Sequence, residues 1–279
     1  MILIADSGST KTEWSLIEKD KSLKSLITSG INPFYQDMHD IVNTLQSELA
    51  SHITPNPDHI YFYGAGCSNP EKISMVIKAL RQVFPSGNIF VGSDLLGATR
   101  SLCQSKPGIA CILGTGSNSC NYDGKEIIHH VPPLGYMLGD EGSGAALGKK
   151  LIADILKRQL PHPIINLFFD TYRVSPEEIL DKVYNDSFPN RYLAQYTKFL
   201  SQNIHIAEIE DLVIKSFNEF ICRNILQYKQ SSSAEIHFTG SIAYYFKPQL
   251  SKSLASYQLN EGRITMSPSP DLIKYHLQN

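Results

Sequence analysis

The stretch MILIADSGSTKT, residues 1–12, decides the fold of the chain. Its first five residues form an apolar run with the length and branching of a buried strand. Asp6 ends this run, and the small residues at positions 7–10 predict a tight turn. Residues 12–17, TEWSLI, then alternate between polar and apolar side chains, as a second strand would. The pattern predicts a β-hairpin whose tip carries an aspartate, hydroxyl groups and backbone amides.

Two interpretations of this hairpin tip are open. Backbone amides in a tight turn can bind a phosphate group, and a carboxylate beside them suits a hydrated magnesium ion. The alternative is an ordinary β-turn that contains an aspartate, because the pattern D-x-G-x-T is short and recurs by chance. The hairpin by itself does not separate these two interpretations.

Composition and charge exclude several classes of protein. The chain has 279 residues, of which 42% are hydrophobic, and a formal net charge of -2. This length suits one large domain or two ordinary ones, and the composition supports a globular core. The chain has no long run of Lys or Arg and no apolar stretch long enough to span a bilayer, so we expect neither nucleic acid nor a membrane as a partner.

The cysteines and the N-terminus predict a cytoplasmic protein. Five cysteines are present and none forms a C-x-x-C pair, which is typical of reduced, mostly buried thiols. The first residues run directly into the first predicted strand, without the pattern of a signal peptide.

The first half of the chain predicts the order β-β-β-α-β-α-β-α. Three strands cover residues 1–28, and Pro33 then excludes Asn32 from helical backbone, which predicts a loop. The remaining pattern predicts helices and strands in alternation, with helices over residues 37–50, 70–84 and 94–103 and strands over residues 58–63 and 88–92. A meander of strands followed by crossovers indicates a mixed sheet covered by helices.

The second half begins in the same way as the first. Residues 109–113 form a predicted strand, residues 114–118 a small-residue turn, and residues 119–122 a returning strand. A third strand over residues 126–130 follows the hairpin signal Asp123-Gly124. The rest predicts a helix over residues 145–160, helices throughout residues 162–230, strands at 235–238 and 263–266, and a last helix at 268–277. The repeat indicates two related domains that face each other across a cleft.

The standard nucleotide and metal signatures are absent. Ala98 stands where a P-loop requires lysine, and the turn at residues 114–118 lacks the third glycine of G-x-G-x-x-G. What remains is a set of small-residue loops at residues 6–10, 114–118, 139–144 and 239–242, together with Asp6, Asp94 and Asp140. Anion-binding loops with acidic residues suit phosphoryl transfer from a magnesium nucleotide without a P-loop.

Five motifs carry a family resemblance, and they occur in family order over nearly the whole chain. They are DSGSTKT (6–12), SDLLGA (93–98), LGTGSN (113–118), GDEGSG (139–144) and FTGSIA (238–243). The chain resembles the sugar kinase, Hsp70 and actin superfamily, and within it the N-acetylglucosamine kinase branch of the BadF/BadG/BcrA/BcrD ATPase family. The resemblance implies an α/β protein of two ribonuclease-H-like (actin-like ATPase) domains that flank a nucleotide cleft.

The resemblance also implies a division of the chain. The first domain would cover residues 1–106 and be completed by the C-terminal helix at 267–279. The second would cover residues 107–266 and contain a helical insert at 162–230. A homodimer formed through that insert is an expectation for the family.

Three aspartates receive roles from the resemblance. Asp94 would be the general base that takes the proton from the attacking sugar hydroxyl. Asp6 and Asp140 would hold Mg²⁺ through water molecules. For Asp94 and Asp140 the alternative is a helix N-cap, which suits both residues equally well on local grounds.

The resemblance assigns further residues to the two substrates. The implied ATP- and phosphate-binding residues are Gly8, Ser9, Thr10, Lys11, Gly114, Thr115, Gly240 and Ser241. The implied sugar-binding residues are Asn32, Gly66, Asp94, Thr115, Asn118, Gly135 and Asp140. For Lys11 the alternative is a solvent-exposed lysine at the end of a hairpin.

The chain departs from the family pattern at three places. Ser7 and Ser9 replace glycines of the first phosphate motif, and serine suits only a backbone with negative φ. The tryptophan that precedes the G-D-E-G loop in mammalian-type enzymes is missing from residues 132–136. The chain also lacks the small-residue loop S-A-x-G-G-A near its C-terminus, which helps those enzymes to bind adenine.

The resulting hypothesis is an ATP- and Mg²⁺-dependent kinase of an amino sugar, with N-acetylglucosamine as the expected acceptor. One alternative is an ATPase that activates a partner enzyme, as the dehydratase activators do, although their clustered iron–sulfur cysteines are not seen here. Another alternative is a regulator that binds sugar or nucleotide without catalysis.

Overall fold

The computed structural model describes residues 1–8 and 10–278, which divide into two compact units. The first unit comprises Met1–Gln104 and Pro268–Asn279, and the second comprises Ser105–Ser267. Ser9, which was assigned to phosphate binding above, lies outside the described residues.

The first unit contains a five-stranded mixed sheet. Its strands are β1 (Ile2–Ser7), β2 (Lys11–Ile17), β3 (Leu23–Ser29), β4 (His59–Gly64) and β5 (Asn88–Ser93), in the order β3-β2-β1-β4-β5. The three-stranded meander is antiparallel, whereas β4 runs parallel to both β1 and β5. Ser7 pairs with Gly64, and Gly64 pairs with Ser93, so the carboxyl ends of these three parallel strands lie at one edge.

The first strand is longer than the sequence pattern predicts. The prediction that Asp6 ends the strand is wrong, because Ser7 continues the pairing with Thr12 on β2. The Ser7 hydroxyl also accepts a hydrogen bond from the Ile31 amide at 3.1 Å and contacts the Ile31 carbonyl oxygen at 3.0 Å. A serine can replace the family glycine here because the backbone is extended, and its side chain fastens the loop after β3 to the hairpin.

Helices cover both faces of this sheet. They are α1 (Met38–Thr44), which continues through a π-helical turn (Leu45–Leu49) and a 3₁₀ turn (Ala50–His52), α2 (Pro70–Val83), α3 (Asp94–Cys103) and the C-terminal helix (Ser269–Gln278). Because side chains alternate along β1, Leu3 and Ala5 pack in the core with α1 and α2. Ile4 points to the opposite face and packs with Tyr63 and with Leu272 of the C-terminal helix.

A partly buried cluster of three polar side chains joins the C-terminal helix to α3 and β4. The Arg100 guanidinium donates to the Tyr63 hydroxyl at 2.7 Å, and that hydroxyl lies 2.9 Å from Nε2 of His276. Because arginine can only donate, the single proton of Tyr63 points to His276, whose Nε2 therefore accepts. The imidazole also stacks on Tyr61 with ring centroids 3.8 Å apart. Burial, and secondly the charge of Arg100, lower the pKa of His276 to about 4.

We expect the stability of the protein to fall at acid pH through His276. Its pKa is about 6.5 when unfolded and about 4 when folded, so its contribution is complete above pH 6.5 and is lost as the pH falls towards 4. The contribution amounts to at most about 3.5 kcal/mol, because one pKa unit corresponds to about 1.4 kcal/mol. Thermal unfolding from pH 4 to pH 8 checks it: the difference between wild type and His276→Gln should shrink below pH 6.5. His39→Gln, at an exposed position on α1, is the control. A difference that is constant with pH would contradict this role.

The second unit repeats the sheet architecture of the first. Its strands are β6 (Gly108–Leu113), β7 (Ser117–Tyr122), β8 (Ile127–Val131), β9 (Glu235–Thr239) and β10 (Asn260–Thr265), in the order β10-β9-β6-β7-β8. Again an antiparallel meander leads into parallel strands, since β9 runs parallel to β6 and to β10. The predicted α/β class and the repeated meander are confirmed. The predicted turn at residues 114–118 is shorter than expected, because Ser117 and Asn118 already belong to β7.

Helices form the rest of the second unit. They are α4 (Gly135–Leu138), α5 (Gly144–Leu156), α6 (His162–Tyr172), α7 (Pro176–Asn185), α8 (Pro189–Ala194), α9 (Thr197–Gln202), α10 (Ala207–Arg223), α11 (Ser241–Tyr245) and α12 (Lys247–Ser256), with a 3₁₀ turn at Ile225–Gln227. The predicted helix over residues 145–160 is too long, because Arg158 adopts a φ of 56°. Within residues 162–230, predicted to be helical throughout, the long helix α10 ends at Arg223. Within the described part of the chain, no helix is long and apolar enough to cross a membrane.

Candidate active site

Two aspartates meet at the carboxyl edge of the first sheet. Asp6 lies near the end of β1, and Asp94 follows β5 directly as the first residue of α3. Burial raises the pKa of Asp6 to about 7, and the charges of Asp94 and then Glu13 add to this effect while Lys11 opposes it. Burial also raises the pKa of Asp94. Burial therefore disfavours the ionised form of both carboxyl groups, and the charge of Asp94 adds to this effect at Asp6.

Asp94 does not cap its helix. The N-cap of α3 is Ser93, whose hydroxyl accepts a hydrogen bond from the Leu96 amide at 3.1 Å. The Asp94 carboxylate accepts from the Leu95 amide at 2.8 Å, which favours its ionised form. The N-cap interpretation of Asp94 is therefore wrong, and the residue is not needed to begin the helix.

The hairpin tip uses some of its polar groups internally. The Gly8 amide donates to the Lys11 carbonyl at 3.0 Å, and the Thr10 carbonyl accepts from the Gly30 amide at 3.0 Å. The Lys11 ammonium lies 2.6 Å from the Glu13 carboxylate and is largely exposed. Phosphate binding by the Gly8 amide would therefore require this turn to open, and Lys11 would have to exchange its ion pair.

Two of the predicted sugar-binding residues lie in contact. Asn32 is buried, and its side-chain oxygen accepts from the Phe34 amide at 3.0 Å. Gly66 has a φ of 81°, and a Cβ at this position would lie only 2.2 Å from that same oxygen. Glycine is therefore required at position 66 both by the backbone conformation and by the close approach of the Asn32 amide.

Phe34, which none of the sequence motifs includes, lies beside this pair. Its ring is 56% exposed, and a Cβ on Gly66 would lie 3.0 Å from the ring. An exposed aromatic ring next to a buried amide offers an apolar surface and a hydrogen-bonding group together. The signal available in the sequence was an aromatic residue directly after the predicted loop at Asn32-Pro33.

In the second unit, the start of α5 is closed by the loop between β6 and β7. The Gly144 amide donates to the Gly114 carbonyl at 2.8 Å, and the Ala145 amide donates to the Thr115 carbonyl at 3.0 Å. Ser143 is the N-cap and accepts from the Ala146 amide at 3.2 Å. The interpretation of Asp140 as the N-cap is therefore wrong. The first amides of α5 are already paired, so this helix start does not offer them to a phosphate.

Asp140 is buried next to the same loop. It adopts a φ of 53°, and its carboxylate accepts from the Ser117 amide at 3.1 Å. A Cβ on Gly116 would lie 3.0 Å from the carboxylate, so the glycine gives the aspartate its space. Burial raises the pKa of Asp140, the Ser117 amide opposes this effect, and the charge of Glu141 adds to it.

The other predicted residues of the second unit differ in their surroundings. Thr115 is exposed at the turn, whereas the Asn118 side-chain oxygen accepts from the Ser119 amide at 2.9 Å and lies 2.8 Å from His130 Nε2. Gly135 begins α4 with a φ of 72°, and a Cβ there would meet no neighbouring atom within 4 Å.

Gly240 and Ser241 follow the carboxyl end of β9. Gly240 has a φ of 117°, and a Cβ there would lie 2.3 Å from the Leu113 carbonyl oxygen. Ser241 is partly buried and begins α11. The second unit therefore brings Gly240 against the loop that carries Gly114.

The described residues contain no metal centre formed by protein side chains alone. Among residues 1–8 and 10–278, no group of three or more His, Cys, Asp or Glu side chains could hold a metal ion. Asp6 belongs to the first unit and Asp140 to the second. Their predicted role as water-mediated magnesium ligands stays a prediction.

Comparisons with known proteins place the chain among sugar kinases. No protein-family model matches the chain, and no curated protein matches it. A candidate N-acetylglucosamine kinase from Porphyromonas gingivalis is 45% identical to it, with a TM-score of 0.94 over 100% of this chain and 99% of that chain.

Two further solved structures share the fold. A candidate N-acetylglucosamine kinase from Chromobacterium violaceum is 16% identical, with a TM-score of 0.76 over 98% of each chain. A ROK family glucokinase from Streptomyces griseus, in complex with glucose and AMPPNP, is 11% identical, with a TM-score of 0.61 over 98% of this chain and 97% of that chain. By its 45% identity over its whole length, the chain belongs to the N-acetylglucosamine kinase-like family of the sugar kinase, Hsp70 and actin superfamily.

Proposed function

We propose that the protein is an ATP-dependent kinase that phosphorylates an amino sugar, with N-acetylglucosamine as the acceptor. The observation that carries this proposal is the pair of aspartates at one sheet edge, Asp6 and Asp94, both with a raised pKa. Strongly shifted carboxyl groups are typical of functional sites, because burying a charge without a structural use is costly. Asp94 is not the N-cap of α3, so helix capping does not explain an aspartate at this position.

Asp94 is the general base in this proposal. Its carboxylate accepts the proton of the sugar hydroxyl as the hydroxyl oxygen attacks the γ-phosphorus of ATP, and the bond from that phosphorus to the β-phosphate oxygen breaks to release ADP. A raised pKa brings the carboxyl group closer to the proton affinity that this transfer needs. The Leu95 amide opposes the shift and helps the carboxylate to stay ionised before the reaction.

Asp6 and Asp140 are the proposed magnesium ligands, each through a bound water molecule. Carboxylate oxygens suit Mg²⁺, which keeps several waters and takes its other ligands from substrate phosphates. The raised pKa of Asp6 is consistent with such a role, because a divalent cation would offset the repulsion from Asp94 and Glu13. When bound, the ion would neutralise charge on the β- and γ-phosphates.

The remaining residues divide between the two substrates. Thr10, Gly114 and Thr115 are proposed to contact phosphates, and Gly240 with Ser241 to lie next to the nucleoside. Asn32, Gly66, Asn118 and Gly135 are proposed to contact the sugar. The Phe34 ring gives this sugar site an apolar surface against which an acetyl methyl group could pack.

The test of the proposed function is a coupled assay of ADP release with Mg-ATP. The acceptors are glucose, glucosamine, N-acetylglucosamine, N-acetylmannosamine and N-acetylmuramic acid. We expect turnover only with an N-acetylated amino sugar, and loss of turnover with EDTA. Phe34→Ala should raise KM for the sugar roughly tenfold, which corresponds to about 1.4 kcal/mol. The matched control is Tyr35→Ala on the same loop, which is 75% exposed.

The assay also separates the alternatives. ATP turnover without any sugar would favour an activator ATPase, and sugar binding without turnover would favour a regulator. Four of the five cysteines are buried, at positions 67, 103, 111 and 120, which gives no support to a surface iron–sulfur cluster. An absorbance spectrum of the purified protein checks this directly.

A further inference from the structure

The carboxylate of Glu141 is held by the last turn of α10. Its Oε1 lies 2.9 Å from Nε of Arg223, and its Oε2 accepts from the side-chain amide of Asn224 at 3.2 Å. The Glu141 side chain is 13% exposed. Arg223 is the last residue of α10, and Asn224, its C-cap, is buried. Both carboxylate oxygens of Glu141 are therefore engaged by two consecutive residues.

The next residue of the loop contacts the same helix turn. Gly142 has a φ of 70°, and a Cβ there would lie 3.0 Å from the Phe220 Cβ. Phe220 is fully buried in the core of the second unit, so this part of α10 cannot move freely. Two successive loop residues, Glu141 and Gly142, thus rest on one fixed helix turn.

Asp140, the residue before them, has a backbone conformation that its neighbours must hold in place. Asp140 has a φ of 53°, in the left-handed region that few residues other than glycine adopt, although aspartate tolerates it better than most. Its carboxylate is directed to the Ser117 amide, and its carbonyl accepts from the Ser143 amide at 3.1 Å. Asp140 and Glu141 also carry adjacent like charges. Without a cation beside Glu141, repulsion would favour a different arrangement of the loop.

We infer that Glu141, Arg223 and Asn224 form a positioning clamp that holds the loop so that the Asp140 carboxylate stays against Gly116 and Ser117. Arg223 and Asn224 are positioning residues, since their contacts go to Glu141 and not to any proposed substrate group. The clamp gives the end of α10, within the predicted helical insert, a direct part in the geometry of the site. Its effect on catalysis rests on the proposed function, whereas its effect on the loop does not.

A second ion pair of the same helix supplies the control. Glu219 of α10 lies 2.8 Å from Lys150 of α5, and both side chains are partly exposed. Glu219→Gln therefore removes an ion pair from the same turn region without touching the Asp140 loop. Arg223→Gln removes the ion pair to Glu141. A general loosening of α10 would affect both variants alike.

The first measurement is hydrogen exchange of the Ser117 and Ser143 amides, which donate to Asp140. We expect exchange at least tenfold faster in Arg223→Gln than in wild type, and unchanged exchange in Glu219→Gln. Unchanged exchange in Arg223→Gln, or equal acceleration in both variants, would overturn the clamp. If Arg223→Gln fails to fold, Glu141→Gln, which keeps the side-chain size, is measured in the same way.

The second measurement is steady-state kinetics. Arg223→Gln should lower kcat/KM roughly tenfold, and Arg223→Lys should recover part of the loss because it restores a cation beside Glu141. Glu219→Gln should match wild type. If wild type shows no kinase activity, the proposed function is wrong. The hydrogen-exchange data would still show whether the clamp holds the Asp140 loop.

Discussion

Replacing Asp94 with asparagine should lower the rate of phosphoryl transfer by about 10²–10⁴-fold, the usual contribution of a general base. The amide has nearly the same shape as the carboxyl group but cannot accept the proton of the sugar hydroxyl. The KM for the sugar should change much less than kcat, because the amide can still form hydrogen bonds. Single-turnover kinetics with Mg-ATP, together with calorimetric titration of the sugar, measure the two effects separately.

The stability of this variant tests whether Asp94 has a structural role. Because Ser93 is the N-cap of α3, Asp94→Asn should keep the melting temperature of wild type or exceed it. The raised pKa of Asp94 shows that its ionised form is disfavoured by burial, and asparagine removes that cost. Ser93→Ala is the matched control, and loss of the cap should cost about 1 kcal/mol. Full turnover in Asp94→Asn would exclude Asp94 as the base, and a large loss of stability would restore its structural interpretation.

Replacing Gly148 with alanine should destabilise the second unit by about 3 kcal/mol or more. Gly148 lies in α5 where α8 crosses it, and a Cβ there would lie 1.9 Å from the Leu193 carbonyl oxygen and 2.6 Å from the Leu193 carbonyl carbon. Both are backbone atoms, so the helices must separate to relieve the contact. The direction of this change in stability is informative, because replacing glycine with alanine inside a helix normally stabilises a protein by about 1 kcal/mol.

Thermal unfolding measures this effect. A loss of about 3 kcal/mol should lower the melting temperature by roughly 10 °C in a unit of this size. The control is Gly114→Ala in the same unit, where the nearest atom to a new Cβ is 4.0 Å away, and it should leave the melting temperature almost unchanged. A stabilised Gly148→Ala variant would show that α5 and α8 are not packed as closely as the structure has them.

Local patterns in the sequence were sufficient for the elements and for the fold class. The apolar run at residues 1–5 and its repeat at residues 109–113 predicted both hairpins, because strand formation and tight turns depend on neighbouring residues. The bounds of α3 were predicted exactly and those of α2 to within one residue. The five motifs were also sufficient for the family, which the 45% identity over the whole chain confirms.

Details of the candidate site depended on hydrogen bonds between distant segments, which local sequence patterns do not predict. Asp94 and Asp140 were both candidates for a helix N-cap, but the N-caps are Ser93 and Ser143. Serine and aspartate have similar preferences for the N-cap position. Which of two nearby residues caps the helix therefore depends on where the chain leaves the sheet or the preceding loop. The loop at residues 139–144 was expected to bind an anion, but the amides of Gly144 and Ala145 pair with the loop after β6. That loop is distant in sequence, so no local pattern could predict the pairing.

The sequence by itself determined that the chain forms two α/β repeats, each beginning with a β-hairpin. It also identified the aspartates of the candidate site. It could do so because alternation, turn residues and motifs act over short distances along the chain. Only the tertiary structure decided that Asp6 and Asp94 share one edge, that Phe34 lies against Gly66, and that α10 holds Glu141. These contacts join residues far apart in sequence, and they exist because strand order and helix packing bring the distant segments together.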